Sequence, residues 1–378
     1  MPKNVPFYRP FIDHAVVKSV NDVLEFDAMS NVDLLEGEFT SFIGASYAVA
    51  TSSGSSAMHL AMCALDLKRG DKVLCSINTF VDIPESVRHF DAEPIFVESN
   101  SDDYMMSVAK LKEALSKHKS KKLRAVVVTH MGGRVADIEA IYALAKEYNI
   151  KVIEDATDSM GSQIGGKYVG ATGADMVVFS FAPHLVRDIV SGGILVMDDE
   201  ELYQRAKIYR NHGLSEATLE GLPDIGYLYD MVEIGWSYEM SELSAAVCLE
   251  RLRRLPQAIK RRKEIAKMYH ESLVDVEHVK MITPLDGDNI AHFFVEIDKN
   301  RDHFARELKK EGIDVRLHYI PLNFMDYYKK KYNLKVFDFS TALSVYQKTL
   351  SLPLFDGMID SEVQKVCTAV QQVAKSYM

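Results

Sequence analysis

The sequence predicts an α/β fold: a mostly parallel sheet of seven strands in a large domain, then a smaller α+β domain at the C-terminal end. Two observations predict it. Apolar strand-like runs alternate with helical periods through the first half, the pattern of a parallel sheet covered on both faces. Beyond residue 240 the alternation stops, and a long helical stretch leads into a mixed strand and helix tail.

The seven strand candidates come first. They are YAVAT (47–51), DKVLCSI (71–77), EPIFVE (93–98), RAVVVTH (124–130), KVIEDA (151–156), DMVVFSF (175–181) and GGILVMD (192–198). Helical periods fall between and after them, in SSAMHLAMCAL (55–65), VADIEAIYALAKEY (135–148) and EELYQRAKIYRNHG (200–213). The stretch 241–272 reads as helix broken near Pro256, because a proline inside a helix removes a backbone donor. A strand (HFFVEI, 292–297), a helix (303–312) and a last helix (361–377) follow. The domains are therefore expected at 1–250 and 251–378.

Bulk composition excludes several classes. The chain has 378 residues, 47% hydrophobic and 26% charged, with a net charge of −10. An acidic chain is a poor partner for nucleic acid or an anionic membrane. No apolar run reaches the roughly 18 residues of a membrane span, and MPKNVPFYRP has no signal-peptide character. The four cysteines are scattered with no CxxC pair, so no disulfide or metal is expected and the location reads as cytoplasmic.

Ligands of such sheets sit at the carboxyl ends of the strands, so strand-end residues carry the functional reading. SSGSSAMHLA follows a strand and opens a helix, leaving amide N–H groups near Gly54, Ser55 and Ser56 free for a phosphate. IEDA leaves Asp155 in an apolar setting, where a carboxylate needs a partner. A protonated pyridine nitrogen is one such partner, and a helix cap is the other reading. NTFVD offers Phe80 as a stacking face or a core side chain. FSF offers the Ser180 hydroxyl at another strand end.

The order of these motifs resembles the DegT/StrS family of nucleotide-sugar aminotransferases. The likeness spans VPFYRPFID (5–13), GASYAVATSSGSSAMHLA (44–61), HMGGRVADIEAI (130–141), VIEDATDSMGS (152–162), FSF (179–181), HYIPL (318–322) and LSLPLFDGM (350–358). It implies a fold type I pyridoxal-phosphate transferase. By that resemblance Gly54, Ser55 and Ser180 hold the cofactor phosphate, Phe80 stacks on the ring and Asp155 meets its nitrogen. His318 and Tyr319 stand near the substrate, and GWSYEM (235–240), with Ser237, reaches a neighbouring subunit's site. The implied partners are a nucleotide-sugar and a second copy in a homodimer, or an active paralogue in a heterodimer.

The departures from the family pattern surround the cofactor. In a loop that usually reads FSF-x-x-x-K-x-x-x-x-G-E-G-G, Leu185 takes the lysine position, and Val190 and Ser191 replace Gly-Glu. Asp158 stands where an amide or imidazole usually faces the ring's 3-oxygen. Ser237 replaces an asparagine, and Glu239 an arginine. The lysine holds the cofactor as an imine and moves the proton, and leucine does neither. Pyridoxal phosphate or its amine form is therefore expected to be noncovalent, or not bound at all. His184, one residue early, is the alternative proton carrier of a lysine-free, dehydratase-like enzyme. Lys167 in GGKYVG reads as surface. A non-catalytic sugar-nucleotide binder is the remaining alternative.

Overall fold

A computed structural model describes residues 4–25, 30–182, 188–215, 229–282 and 287–376. The chain opens with helices α1 (His14–Leu24) and α2 (Asn31–Ile43), then strand β1 (Tyr47–Thr51) and α3 (Gly54–Ala64). It continues with β2 (Lys72–Ser76), α4 (Asp82–Arg88), β3 (Glu93–Val97), α5 (Val108–His118), β4 (Leu123–Thr129), α6 (Ile138–Tyr148) and β5 (Lys151–Asp155). A small hairpin, β6 (Gln163–Ile164) and β7 (Lys167–Tyr168), precedes β8 (Met176–Ser180), β9 (Gly193–Met197) and α7 (Glu200–Arg210). Lys167 is exposed on that hairpin, as read from the sequence.

The seven long strands form one sheet in the order β1-β9-β8-β5-β4-β2-β3. Strands β3, β2, β4, β5 and β8 run parallel, while β9 pairs antiparallel with both β8 and β1. Both faces are covered, which explains the nearly continuous apolar runs. Val49, Val73, Val127, Ile153 and Leu195 pack under α3. On the other face, Leu74, Val126 and Val152 meet α5 and α6, and Ala50, Val177, Phe179 and Ile194 meet α2.

Two two-residue strands, β10 (Leu214–Ser215) and β11 (Asp230–Met231), lead to helix α8 (Glu242–Leu273). This helix is unbroken over 32 residues and contains Pro256, so the expected break is corrected. Proline costs one backbone bond, about 3 kcal/mol. Buried side chains on both sides of it, Leu249, Leu252 and Leu255 before and Ile265, Tyr269 and Leu273 after, hold the helix across the gap. The expected boundary at 250 and 251 falls inside this one helix.

The second sheet, β12 (Val279–Met281), β13 (Phe293–Ile297) and β14 (Thr349–Leu352), is antiparallel. It packs with the end of α8, α9 (Arg301–Lys310) and, after α10 (Asp326–Lys331) and α11 (Ser340–Lys348), α12 (Asp360–Lys375). The segment after α9 returns to the large sheet. Tyr319 N donates to Asn78 Oδ1 at 3.3 Å and Leu322 N to Ile77 O at 3.0 Å, just past β2. That docking carries 318–322 from the small sheet to the carboxyl end of the large one.

Candidate functional site

The turn from β1 into α3 is built to be crowded. Ser53 caps α3, accepting from Ser56 N at 3.0 Å. A methyl at Gly54 would stand 2.9 Å from Ser180 Cβ, and one at Gly193 would stand 2.2 Å from Ser53 O. Only glycines let this helix start press against the ends of β8 and β9. Gly54, Ser55 and Ser180 thus share one corner. The Ser180 hydroxyl donates to Ala182 O at 2.8 Å.

Asp155 ends β5, paired with Val178, two residues before Ser180. It is 3% exposed. One oxygen accepts from Thr157 N and Thr157 Oγ1, at 3.2 and 2.8 Å. Burial pushes this carboxyl up to about 7, with repulsion from Asp82 and Asp158 adding to the rise and the Thr157 bonds opposing it.

Asp82 was not singled out from the sequence, although NTFVD contains it. It opens α4, is buried, and accepts a 2.9 Å bond from the Ser55 hydroxyl. Asp158 Oδ2 accepts from Gly132 N at 3.3 Å, and Oδ1 lies 3.2 Å from His292 Nε2. Asn289 Nδ2 donates to the Asp158 carbonyl. His292 and Asn289 sit about 130 residues away in sequence, beyond the reach of any local motif.

Phe80 and Tyr319 face each other with ring centroids 5.7 Å apart. Tyr319 is buried, and desolvation, then Asp158, Asp155 and Asp82, raise its phenol well above the ordinary range. Both rings border an open cavity of about 390 Å³. His318 stacks on His292 at 4.0 Å, and its Nδ1 is 2.8 Å from Ser351 Oγ. Ser237 is exposed and bridges Asn211, so it stays outside this gathering within its own chain. His184 and Leu185 lie outside the described residues.

A second cavity of about 160 Å³ touches Asp158, Ser180 and His292 on one side and Arg251, Arg254 and Arg262 of α8 on the other. Arg251 binds Asp188 through two bonds, 3.0 and 2.5 Å, and Tyr8 donates to the same carboxylate at 2.8 Å. No lysine lines either cavity among the described residues.

Chemically, the corner suits a flat cationic ring with an anion at its far end. A buried carboxylate with no cation beside it among the described residues stands at the strand end, aromatic faces lie close by, and a helix of eleven residues starts at the anion end. Asp82 works against the anion, since it takes the Ser55 hydroxyl and adds negative charge near the same helix start. The set fits pyridoxal phosphate at the ring and less well at the phosphate.

Comparison with known proteins agrees with the fold. The model of the DegT/DnrJ/EryC1/StrS aminotransferase family matches residues 11–371. The spore coat polysaccharide biosynthesis protein SpsC of Bacillus subtilis is 32% identical, over 98% of this chain and 97% of that protein. Spr1654 of Streptococcus pneumoniae in its PMP form superposes with a TM-score of 0.90 at 22% identity, over 99% of this chain and 100% of that one. Helicobacter pylori PseC, an aminotransferase involved in the biosynthesis of pseudoaminic acid, superposes with a TM-score of 0.88 at 22% identity, over 99% and 100%.

Proposed function

Because this chain belongs to the DegT/DnrJ/EryC1/StrS aminotransferase family, we propose that it acts on or binds a nucleotide-linked keto-sugar in amino-sugar or surface-polysaccharide biosynthesis, without a lysine–cofactor bond. The observation that carries this reading is Asp155, buried at a strand end with no cation beside it among the described residues, in a chain with Leu185 at the lysine position. The coverage of SpsC, end to end, supports the sugar pathway.

Pyridoxal phosphate or its amine form, when bound, supplies an electron sink. Asp155 would hold the ring N–H, and Phe80 would lie against the ring. The amides of Gly54 and Ser55 and the Ser180 hydroxyl would hold the phosphate. Asp158, with His292 Nε2 3.2 Å from its Oδ1, would stand at the ring's oxygen side. His318 and Tyr319 border the sugar side and exclude water from it. Residues 1–250 carry the cofactor corner, 251–378 close over it, and Ser237 serves the neighbouring subunit.

Titration with pyridoxal phosphate, followed by borohydride reduction and peptide mapping, tests the reading. A free-aldehyde absorption band with no pyridoxyl peptide is expected. A pyridoxyl group on any lysine of the cleft would overturn it. Absence of any band, with a 4-keto-sugar nucleotide still bound, would leave the non-catalytic binder in its place.

A further inference from the structure

We infer that Arg262 forms a binding subsite for a small carboxylate in the cavity of about 160 Å³ behind Asp158 and Ser180. Helix α8 presents Arg251, Arg254, Leu255, Ala258 and Arg262 to this cavity, at spacings of three and four residues. That spacing places them on one helix face.

Two of the three guanidinium groups have counter-ions. Arg251 is clamped to Asp188 and also donates to Phe181 O at 2.9 Å. Arg254 meets Asp356 at 3.2 Å and lies over the Phe11 ring at 3.6 Å. Asp13 stands 3.6 Å from Arg254 but is engaged as the cap of α1, accepting from Val16 N. Arg262 makes no hydrogen bond or ion pair among the described residues, and its Nε is buried without a partner.

A guanidinium cannot shed its proton to escape such a position. Burial disfavours its charge, and Asp356, whose charge acts on it, already serves Arg254. Arg262 is partly buried, with its Nε fully so; a cation held there without an anion carries a cost, which a ligand of opposite charge removes. One unmatched fork calls for one negative charge in a plane, which is a carboxylate. A phosphate dianion would bring a second charge towards Asp158, which lines the same cavity. The volume is several times the roughly 30 Å³ share of a water molecule, enough for a small organic acid.

The subsite borders the proposed cofactor corner through Asp158 and Ser180, but its test uses neither sugar nor cofactor and so reads separately from theirs. Isothermal titration of the full chain with acetate, L-glutamate and inorganic phosphate, for wild type and Arg262→Gln, reads it directly. Expected are saturable binding of at least one carboxylate, weakened tenfold or more in Arg262→Gln, and no Arg262-dependent phosphate binding. The ligand-free variant should also melt higher than wild type, since an unmatched buried charge has gone. If the variant does not fold, protection of Arg262 from phenylglyoxal by the carboxylate, mapped by mass spectrometry on wild type, replaces it. Equal carboxylate affinity in both proteins, absence of protection, or phosphate binding that depends on Arg262 would overturn the inference.

Discussion

Asp155 couples the site to stability. Its carboxyl titrates near 7 in the folded chain but near 4 in the unfolded one, because burial disfavours the charge. The folded state therefore keeps a proton that the unfolded state releases, and ligand-free stability falls as pH rises from about 4 to 7. Asp155→Asn removes that loss. Thermal melts should show little change at pH 4 and a gain on the order of a few kcal/mol at pH 8, together with loss of cofactor binding. An equal gain at both pH values would mean that the carboxyl is not raised. Asp82→Asn tests the second carboxylate. It relieves repulsion on Asp155 and removes a negative charge beside Ser55. Pyridoxal phosphate should bind about tenfold tighter, a gain of roughly 1.4 kcal/mol, as read by absorption titration; unchanged affinity would place Asp82 outside the phosphate corner.

At the scale of elements, the site is a close approach between the start of α3 and the ends of β8 and β9. Gly193→Ala puts a methyl 2.2 Å from Ser53 O, a backbone atom that cannot rotate away. Overpacking of this kind costs about 1–3 kcal/mol, so chemical denaturation should shift by that amount and cofactor affinity should fall with it. Unaltered stability would show that the turn yields. Much of this scaffold was legible in the sequence. Strands β1 to β5, β8 and β9 are mostly apolar because both faces are covered, and each lies within a run read as strand or, for β4, begins one residue before it. Helix α2 was not read, although Leu35, Phe39 and Ile43 lie four apart on its buried face. Short β14, TLSL, overlapped the start of LSLPLF and went unread, since four residues carry no period of their own. Pro256 misled because local propensity gives way to tertiary packing on both sides. Gly54 was legible in the turn that opens a helix, and Gly193 only as part of a strand run; the meaning of Asp82, Asn289 and His292 was not legible, because each acts on a residue at least 27 positions away.

At the scale of the whole molecule, one surface bears on whether the site is complete in a single chain. Residues 229–236 expose a run of large apolar side chains, with Tyr229 70% and Ile234 74% exposed, and Met231, Val232 and Trp236 beside them. So much apolar surface in one short segment marks an interaction face. The residues that follow this segment are tied to the proposed cofactor corner, because Ser52 N donates to Tyr238 O at 2.8 Å. A partner that covers 229–236 therefore also sets the position of the turn leading to Gly54. A second copy of the chain satisfies this symmetrically, since a two-fold interface places the same patch on both sides. Sedimentation of the wild type should give a dimer. Ile234→Glu with Trp236→Glu should give a folded monomer, because two charges would be buried without partners in the interface. Cofactor affinity in that monomer should drop if Ser237 of each chain serves the other's site, and remain if every phosphate contact is made within one chain. A wild-type monomer that dimerises only on mixing with an active family member would replace the homodimer with a mixed pair, in which this chain supplies the face and its partner the lysine.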